Sequence, residues 1–339
     1  MASDVSMKDH TGQDAMLVDR GACPLCGGTA RTLVHDFDQI PVVRCGGGGS
    51  GGVRVGGGEG GGCGFMFSSR VFTPEATARY YAQDWGSVWH RAGQEINARV
   101  NAGLLPRLVT LARGARVLDV GCGYGFLGER LRARGVESIG VEVSRGESAF
   151  AREQLKLDVR TGMLSEVGLA PASFDLVCSF EVIEHLLDPG AFLREMVAMC
   201  KVGGTVLVCT DNFDAPIVRR MGAEFPKWIP HTHVSHFDAP SLRRLMESCG
   251  LRVERECSYT NWETAARDLK RRVSGRKPRT AREAWSLNTE LRQEMGRAPK
   301  LLGLRKAFNP LWAKMASSRR AEDGGLMFVA GRRGAGASA

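Results

Sequence analysis

The sequence lacks any long hydrophobic run. No stretch of its 339 residues approaches the ~18 consecutive apolar residues that a membrane-spanning helix needs. The first nineteen residues carry Asp4, Lys8, Asp9 and Asp14 and have no apolar centre, so they do not read as a signal peptide. No internal repeat is evident. These absences argue against a secreted or membrane-spanning protein, and we expect a cytoplasmic protein with reduced cysteines.

Acidic residues are scarce in one segment near the C-terminus. Residues 265–320 hold sixteen Lys and Arg against four Asp and Glu, a balance of +12, whereas the whole chain sums to +9. The remainder of the chain therefore carries −3, so the basic character belongs to this segment alone. The overall composition, 43% hydrophobic and 24% charged, is ordinary for a globular chain with one large domain plus appendages, or with two domains.

Short apolar runs alternate with helical stretches through the middle of the chain. The runs are nearly continuous in apolar residues, as strands buried on both faces require. This alternation predicts an α/β fold, a Rossmann-like, seven-stranded, mostly parallel sheet with helices on both faces. The predicted strands are 116–120, 138–143, 158–161, 174–180, 205–210, 251–258 and 326–330, and the main helices between them are 126–134, 144–155 and 189–199.

Changes in composition suggest the domain organisation. Hairpin loops are normally ~2–5 residues long, so the 67 residues between the last two predicted strands form an insertion with its own role or its own disorder. Pro106 should kink or restart the helical stretch that precedes the sheet. The predicted divisions are a loose N-terminus (1–20), a Cys- and Gly-rich segment (21–70), the core (71–258), the basic, mainly helical insertion (259–325), and the last strand with its tail (326–339).

A glycine-rich turn follows the first predicted strand of the core. The strand runs into Gly121, Gly123 and Gly125, and a helix is predicted immediately afterwards. Glycines permit a tight turn and let a ligand touch the backbone, and a helix N-terminus offers N–H groups to an anionic group. Glu142, at the end of the next strand, can accept hydrogen bonds from both hydroxyls of a ribose. The sequence therefore predicts an adenosine-containing ligand at the carboxyl edge of the sheet.

The spacing of the glycines argues against a dinucleotide. Counted from Gly121, the GxGxxG fingerprint needs its third glycine where Phe126 stands. Gly123, Gly125 and Gly128 have the right spacing but begin two residues too late. An NAD-dependent enzyme therefore conflicts with the sequence.

The same turn resembles motif I of the class I S-adenosylmethionine (SAM) dependent methyltransferases. Its residues are Asp119-Val120-Gly121-Cys122-Gly123-Tyr124-Gly125, with an acid two positions before the first glycine. Later landmarks keep the family order, namely FDLV from Phe174, EVIEHLLDP from Glu181 and KVGGT from Lys201. The EVIEH stretch is similar to that of ubiquinone-biosynthesis O-methyltransferases. The resemblance covers roughly residues 75–258 plus the final strand, and it implies SAM as the cofactor.

The resemblance also implies which residues hold SAM. Gly121, Gly123 and the region of Asp119 would hold the methionine end, and Glu142 would hold the ribose. Met163 would flank the adenine; many family members carry an acid there, so this contact would be apolar or made by the backbone. The complete predicted set is Asp119, Gly121, Cys122, Gly123, Gly125, Glu142, Met163 and Phe180.

Glu181, His185 and His233 are the candidate catalytic residues. Methyl transfer from a sulfonium is an in-line displacement in which alignment supplies much of the rate, and an oxygen acceptor usually also needs a base. Glu181 follows the fourth strand and should lie at the pocket edge, and the neighbouring Glu184 is a further candidate base. His185 is either a base or a group that only caps and packs beneath the cofactor.

Three histidines follow the fifth strand of the core. His231, His233 and His236 are spaced two and three residues apart, which is compatible with metal ligation. Alternatively, this segment is a loop that leads into a helix capped by Asp238, with His236 and Phe237 packed against the sheet. His231 or His233 would then contact the acceptor.

Four of the ten cysteines differ from the rest. Cys23 and Cys26 form a CPLCGG knuckle, in which two thiolates reach one ion across a tight turn. Cys45 and Cys63 look like the halves of a second knuckle, separated by 17 mostly glycine residues that add only a modest closure entropy. We predict a structural zinc ion on Cys23, Cys26, Cys45 and Cys63; the alternative is a ribbon without metal. Some methyltransferases of sugars or small metabolites carry a similar N-terminal ribbon.

Basic and aromatic residues are interleaved in the insertion. Trp262, Trp285 and Trp312 accompany the basic runs at 270–272 and 276–279. Such surfaces bind phosphates, nucleic-acid bases or anionic membranes, although a solvated face is the commonest reason for a charged helix. We predict a lid over the acceptor pocket that favours an anionic or membrane-borne acceptor.

Taken with the resemblance, these features favour a SAM-dependent methyltransferase that acts on a small metabolite at oxygen or carbon. One alternative is an RNA methyltransferase that uses the basic insertion, although no recognised RNA-binding motif is present. Another is a non-catalytic SAM-binding module, which would predict a broken glycine turn or a missing Glu142. The sequence specifies neither the acceptor nor the oligomeric state, because both depend on variable loops and surfaces.

Overall fold

The computed structural model describes residues 5–8, 14–37, 39–47, 62–82, 88–284 and 302–335. Trp285 and most of the glycine-rich stretch between Cys45 and Cys63 lie outside these residues. The strands are β1 (Val5–Lys8), β2 (Asp14–Asp19), β3 (Ala30–Phe37), β4 (Ile40–Gly47), β5 (Met66–Ser68), β6 (Arg70–Phe72), β7 (Arg116–Val120), β8 (Glu137–Glu142), β9 (Asp158–Thr161), β10 (Phe174–Phe180), β11 (Cys200–Asp211), β12 (Ser235–His236), β13 (Leu251–Tyr259) and β14 (Leu326–Arg333). The α-helices are α1 (Pro74–Ala82), α2 (Val88–Leu108), α3 (Phe126–Arg132), α4 (Arg145–Glu153), α5 (Pro189–Met199), α6 (Pro216–Met221), α7 (Ala239–Ser248), α8 (Trp262–Val273) and α9 (Leu302–Ala316).

A seven-stranded sheet forms the centre of the molecule, in the order β13-β14-β11-β10-β7-β8-β9. The strands β7 to β11 pair in parallel, and β14 runs antiparallel between β11 and β13. The predicted α/β fold with a mostly parallel sheet is therefore confirmed. Because the carboxyl ends of parallel strands meet at one edge, residues after β7, β8, β9, β10 and β11 come together there.

Helices cover both faces of this sheet. Alternate strand residues point to opposite faces, so Leu118 packs with α5 and α7 while its neighbour Val117 packs with α2 and α3. Both side chains are fully buried. Pro106 lies inside α2, near its C-terminal end, and the helix stops two residues later. The proline therefore stands close to the end of the helix and does not divide the helical stretch in two. Asp238 caps α7 as predicted, since its Oδ1 accepts the Ser241 N–H at 2.7 Å.

The N-terminal segment differs from the expectation that residues 1–20 are loose. Within it, β2 pairs antiparallel with β6, with Leu17 opposite Phe72. Leu17 is only 1% exposed. A short apolar run, such as that at 15–18, forms a strand when a partner edge is available, and the sequence pattern does not show that edge.

The Cys- and Gly-rich segment shares a sheet with the core. Four strands pair in the order β12-β5-β4-β3, and β12 belongs to the segment that follows β11. The rings of Phe65 and Phe237 pack 4.9 Å apart at this junction. The ribbon-like segment is thus joined to the core by both hydrogen bonds and apolar packing.

The described part of the basic insertion contains α8 and α9. Trp312 of α9 donates its indole N–H to the Thr260 carbonyl at 2.8 Å, and Lys306 lies 2.5 Å from Glu95 of α2. The helical character predicted for the insertion is therefore confirmed within the described residues. No described helix combines the length and the apolar character needed to cross a bilayer.

Candidate cofactor and acceptor site

The glycine turn requires three of its glycines. Gly121, Gly123 and Gly125 have φ of 78°, 54° and 79°, a left-handed conformation that side chains other than glycine rarely adopt. A Cβ on Gly121 would lie 2.4 Å from Val182 Cγ2, and one on Gly123 would lie 2.0 Å from Gln94 Oε1. Since α3 begins at the next residue, the turn connects β7 directly to a helix N-terminus, the arrangement that accommodates an anionic ligand group.

Glu142 ties this turn to the following helix. Its Oε2 accepts the Gly123 N–H at 2.8 Å and its Oε1 accepts the Ser144 N–H at 2.8 Å. The side chain is 9% exposed, and burial raises the pKa of Glu142 above its ordinary value although the backbone N–H groups act in the opposite direction. Each carboxylate oxygen has a second lone pair, so Glu142 can hold the turn and also accept ribose hydroxyls.

Asp119 and Cys122 lie beneath the turn and are largely enclosed by protein. Asp119 is 5% exposed, and burial, together with the charge of Glu142, raises the pKa of Asp119 to about 7. The Cys122 thiol packs directly against Gly140 of β8. A Cβ added to Gly140 would lie 2.5 Å from Cys122 Sγ, so this position has no room for a side chain. These two residues therefore shape the turn from inside.

Met163 and Phe180 complete the predicted cofactor set at the same edge. Met163 follows β9 and is 50% exposed, with its N–H donated to Glu166 Oε2 at 3.1 Å. Phe180 ends β10 and is half-buried, with its ring 6.4 Å from that of Phe328. All eight predicted residues thus lie at or beside the carboxyl ends of four neighbouring strands.

Three further polar side chains cover the turn, and no sequence motif marks them. Gln94 Oε1 accepts the Tyr124 N–H at 3.1 Å, and its Nε2 donates to Glu147 Oε2 at 2.8 Å. His90 Nε2 lies 2.9 Å from Glu147 Oε1. No local signal marks Gln94 and His90, because only the packing of α2 on α4 brings them to the glycines.

A cavity of about 150 Å³ opens beside this edge of the sheet, and we call it the edge cavity. Its polar lining includes Glu181, Asp211 and Lys227. The insertion helices contribute Trp262, Arg305 and Trp312 to its wall, so the insertion covers this cavity. Aromatic rings from Phe225 and Tyr259 complete the wall.

Glu181 is held in place by strain and by charge. Its φ is 54°, unusual for a residue other than glycine. One carboxylate oxygen accepts from Asn97 Nδ2 at 2.8 Å and the other pairs with Lys227. Lys227 Nζ also lies 3.8 Å from Asp211. Burial alone would lower the pKa of Lys227, but the charges of Asp211 and Glu181 raise it above its ordinary value.

Glu184, His185 and His233 come together next to these charges. One potential ligand atom from each lies within 4.8 Å of the others. Burial, with the charges of Asp211 and Glu181, raises the pKa of Glu184 to about 8. Burial, with the neighbouring His233, lowers the pKa of His185 to about 3, so its imidazole is neutral at physiological pH.

The other two histidines of the predicted trio serve different purposes. His236 is buried, with its Nε2 3.4 Å from Ser68 Oγ and its ring 4.6 Å from that of Phe213. His231 packs edge-on against Phe72 at 6.4 Å. Among the described residues, neither shares a potential metal-ligand cluster with His233, so the trio is not a ligand set and His236 packs as the alternative interpretation predicts.

The four N-terminal cysteines meet in one cluster. Their Sγ atoms all lie within 4.8 Å of one another, with Cys23–Cys63 and Cys26–Cys45 each at 3.5 Å. Tetrahedral zinc with Zn–S bonds of ~2.3 Å places its sulfurs about 3.8 Å apart, so this arrangement fits the ion. The wide gap in sequence is bridged because Cys45 donates its N–H to the Phe65 carbonyl at 2.9 Å, which brings Cys63 alongside.

Comparison with known proteins is consistent with this geometry. Residues 89–256 match a family model described as a methyltransferase domain. A ubiquinone biosynthesis O-methyltransferase of Dinoroseobacter shibae is 32% identical over 177 residues, which cover 46% of this chain and 70% of that protein. One from Azorhizobium caulinodans is 36% identical over 133 residues, 36% of this chain and 51% of that protein. The chain thus spans about half the length of several curated relatives that it matches.

A solved structure with a similar fold is phosphoethanolamine N-methyltransferase 2 of Haemonchus contortus in complex with SAM. Its TM-score is 0.50 at 14% sequence identity, and the match covers 79% of this chain and 63% of that one. At this identity the likeness concerns the fold.

Proposed function

This chain belongs to the class I SAM-dependent methyltransferases, and from that premise we propose that it transfers the methyl group of SAM to a small-molecule acceptor. The observation that carries the proposal is the glycine turn bound to Glu142 through the Gly123 N–H at 2.8 Å. In this proposal the turn receives the methionine end of SAM, Glu142 the ribose hydroxyls, and Met163 the adenine. SAM supplies a sulfonium methyl group, and the chain's own residues position the acceptor.

We propose the edge cavity as the acceptor site. Trp262, Trp312 and Tyr259 offer aromatic surface to the cavity, and Glu181 and Lys227 offer polar contacts. This lining suits a small molecule with an apolar or aromatic body and one reactive hydroxyl. The name O-methyltransferase, shared by the relatives, also favours oxygen over carbon as the acceptor atom.

The transfer step needs alignment and one proton acceptor. A lone pair of the acceptor oxygen forms the new O–C bond while the C–S bond of SAM breaks. The electron pair of the broken bond stays on sulfur, and S-adenosylhomocysteine leaves. The acceptor proton passes to a base, and we assign that role to Glu181, whose carboxylate lines the edge cavity. We do not assign the proton transfer to His185, because burial keeps the pKa of His185 too low for it to retain a proton.

We further propose that the acceptor reaches the cavity from a membrane surface. On α9, Leu304, Leu311 and Met315 are 62%, 55% and 74% exposed, and with Phe308 they recur at helical spacing on one face. Arg305 and Trp312, on another face of the same helix, line the edge cavity. An apolar helix face on a basic segment is the combination that rests on an anionic bilayer.

The basic residues of the insertion divide into two groups. Arg271 is 13% exposed and lies 3.0 Å from Asp268 and 3.9 Å from Glu224, so it stabilises the insertion. Arg272, Arg276 and Lys277 are exposed. The attraction to anionic lipid is therefore assigned to these exposed residues and not to Arg271.

We propose that the cysteine cluster holds a structural zinc ion. The four thiols lie close together, at separations that suit tetrahedral coordination, and none of them forms a disulfide. These two observations support the proposal. Zinc would stabilise the ribbon and take no part in methyl transfer. A cytoplasmic location stays a prediction.

A methyl-transfer screen tests the proposed function. Purified protein and SAM carrying a labelled methyl group are incubated with phenols, sugars, isoprenoid lipids and RNA, with Gly123→Val as the inactive control. Label is expected in a hydroxyl-bearing small molecule, most strongly in one with an apolar tail. Transfer to RNA alone, or equal transfer by wild type and Gly123→Val, would overturn the proposal.

A further inference from the structure

Basic side chains from three neighbouring elements gather beside α2. Lys306 of α9 and Arg99 of α2 both pair with Glu95, at 2.5 Å and 2.9 Å. Arg134, which follows α3, donates to the Ala102 carbonyl of α2 at 3.1 Å. The packing of α3 and α9 against α2 therefore brings together cations that are distant from one another in the sequence.

Arg130 of α3 has no partner within the part of the chain that the structure describes. Its side chain forms no hydrogen bond or ion pair there, and its Nε is enclosed without an acceptor. Burial and the charges of Arg99 and Arg134 lower the pKa of Arg130, although nearby acids act in the opposite direction. The Nε of Arg99 is also enclosed without an acceptor. We call these three residues the arginine patch, in which like charges lie close together.

The neighbouring acids do not neutralise the arginine patch. Glu95 gives one carboxylate oxygen to Arg99 and the other to Lys306, so both of its oxygens are already engaged. Glu129 forms no ion pair among the described residues. The three arginines and Lys306, counted against these two acids, leave a balance of +2. An anion that offers several oxygens would compensate this charge and accept hydrogen bonds from the open N–H groups.

The chemistry of the arginine patch favours a phosphate group, and α9 indicates the source of that group. Guanidinium groups bind phosphate oxygens in pairs. The helix α9 carries Lys306 and also exposes Leu304 and Leu311, an apolar surface that lipid covers and that free phosphate or RNA leaves in water. An amphipathic helix lies ~5–10 Å deep at the headgroup boundary, and packed helices are ~8–10 Å apart. With α9 at that depth, the neighbouring α2 and α3 would face the headgroups.

We propose that Arg99, Arg130 and Arg134 form a binding site for the phosphate group of an anionic phospholipid. Arg130 is the principal contact, because no described protein group engages its guanidinium, whereas Arg99 and Arg134 each donate to one protein acceptor. Binding of the phosphate group does not depend on methyl transfer. Its role rests on the proposed function and would be to orient the chain on the membrane from which the acceptor arrives.

Nuclear magnetic resonance of the arginine Nε–H groups tests the site with a soluble headgroup. The full-length, ¹⁵N-labelled protein is titrated with dihexanoyl-phosphatidylglycerol below its micelle concentration, and separately with inorganic phosphate. Signals missing from Arg130→Gln and Arg99→Gln assign the two arginines. Both signals should shift saturably with the short-chain lipid. Arg130→Lys keeps the charge but not the planar fork, so the affinity read from the Arg99 signal should fall about tenfold.

Vesicle binding distinguishes a lipid headgroup from free phosphate. In co-sedimentation with phosphatidylcholine vesicles that contain phosphatidylglycerol, Arg130→Gln should bind about fivefold less tightly than wild type, the loss expected for one basic residue at an anionic surface. Arg130→Lys should share this loss, because lysine lacks the fork. Arg255→Gln removes an exposed arginine of β13 and, as the matched control, should bind like wild type. Circular dichroism and SAM calorimetry on the same samples check that each variant is folded.

The possible outcomes separate this proposal from the proposed function. An Arg130 signal that does not shift with the short-chain lipid would overturn the site, even if SAM binding and methyl transfer are intact. Equal vesicle binding by wild type and both Arg130 variants would overturn the lipid assignment, even if inorganic phosphate shifts the signal. Loss of RNA binding without loss of vesicle binding in these variants would do the same. Selective loss of lipid binding in variants that still bind SAM supports the site, even if no acceptor is methylated.

Discussion

Glu181 is the residue at which backbone strain and function coincide. A left-handed conformation in a residue other than glycine costs about 1–3 kcal/mol. The N–H of Glu181 offsets this by donating to the Cys209 carbonyl at 2.9 Å, and the carboxylate is held by Asn97 and Lys227. The result is a carboxylate fixed at the wall of the edge cavity. Strain of this kind is visible in the backbone dihedral angles and cannot be predicted from the sequence.

The pKa of Asp119 predicts a pH dependence of stability. Burial, with the charge of Glu142, raises it from 3.8 to about 7. Between these values the folded state retains a proton that the unfolded state has lost, so stability falls as the pH rises through this window. The slope is at most about 1.4 kcal/mol per pH unit. Asp119→Asn removes the titrating group and therefore this slope.

Thermal unfolding of the cofactor-free protein between pH 4 and 7 measures the effect. The midpoint of wild type, compared with that of Asp119→Asn at each pH, should decline as the pH rises. Parallel curves for the two proteins would show that Asp119 ionises normally in the folded state.

At the scale of elements, the ribbon supports the segment that carries His233. Arg20 donates to the Val234 carbonyl at 2.8 Å, and Ser68 donates its hydroxyl to the Pro230 carbonyl at 2.7 Å and its N–H to the Val234 carbonyl at 3.0 Å. These contacts come from residues on either side of the cysteine cluster. The proposed zinc ion would therefore stabilise the acceptor side of the site through the backbone.

Removing a cysteine tests this connection. Cys23→Ser should lower the free energy of unfolding by more than about 3 kcal/mol, as loss of a structural metal does. Amide hydrogen exchange in residues 230–235 should become faster, because the segment loses its support. Cys249→Ser, a buried cysteine outside the cluster, is the matched control and should leave exchange in that segment unchanged. Equal exchange in both variants would mean that the ribbon does not support the segment.

The exposed face of α9 predicts membrane binding. Burying a leucine side chain contributes about 1.5–3 kcal/mol. Leu304→Glu combined with Leu311→Glu should therefore weaken binding to vesicles that contain anionic phospholipid by well over tenfold. Co-sedimentation at two salt concentrations measures this, with Leu33→Glu on β3, a site 65% exposed, as the control. Equal binding by the double variant and the control would remove the membrane role of α9.

At the scale of the whole molecule, the core could be predicted from the sequence and the connections between its parts could not. Strand β10 matches its predicted bounds because two-faced burial leaves a clear apolar run, and Gly121 and Glu142 are visible because they stand at strand ends. Gln94 and Lys227 are placed by helix and loop packing that no local pattern encodes. The shared sheet between ribbon and core rests on β12, a strand of two residues, which is too short to leave a periodic signal.

Calorimetric titration with SAM and S-adenosylhomocysteine tests the central claim most directly. Wild type should bind both, and so should Gly103→Ala, a glycine of α2 with no atom within 4 Å of an added Cβ. Two site variants should each lower the affinity at least about a hundredfold. Gly123→Val forces a side chain into a left-handed turn against Gln94 and disrupts the turn. Glu142→Ala removes the charged hydrogen bonds. Wild-type protein without affinity for either nucleoside, or unchanged affinity in the two site variants, would contradict the account.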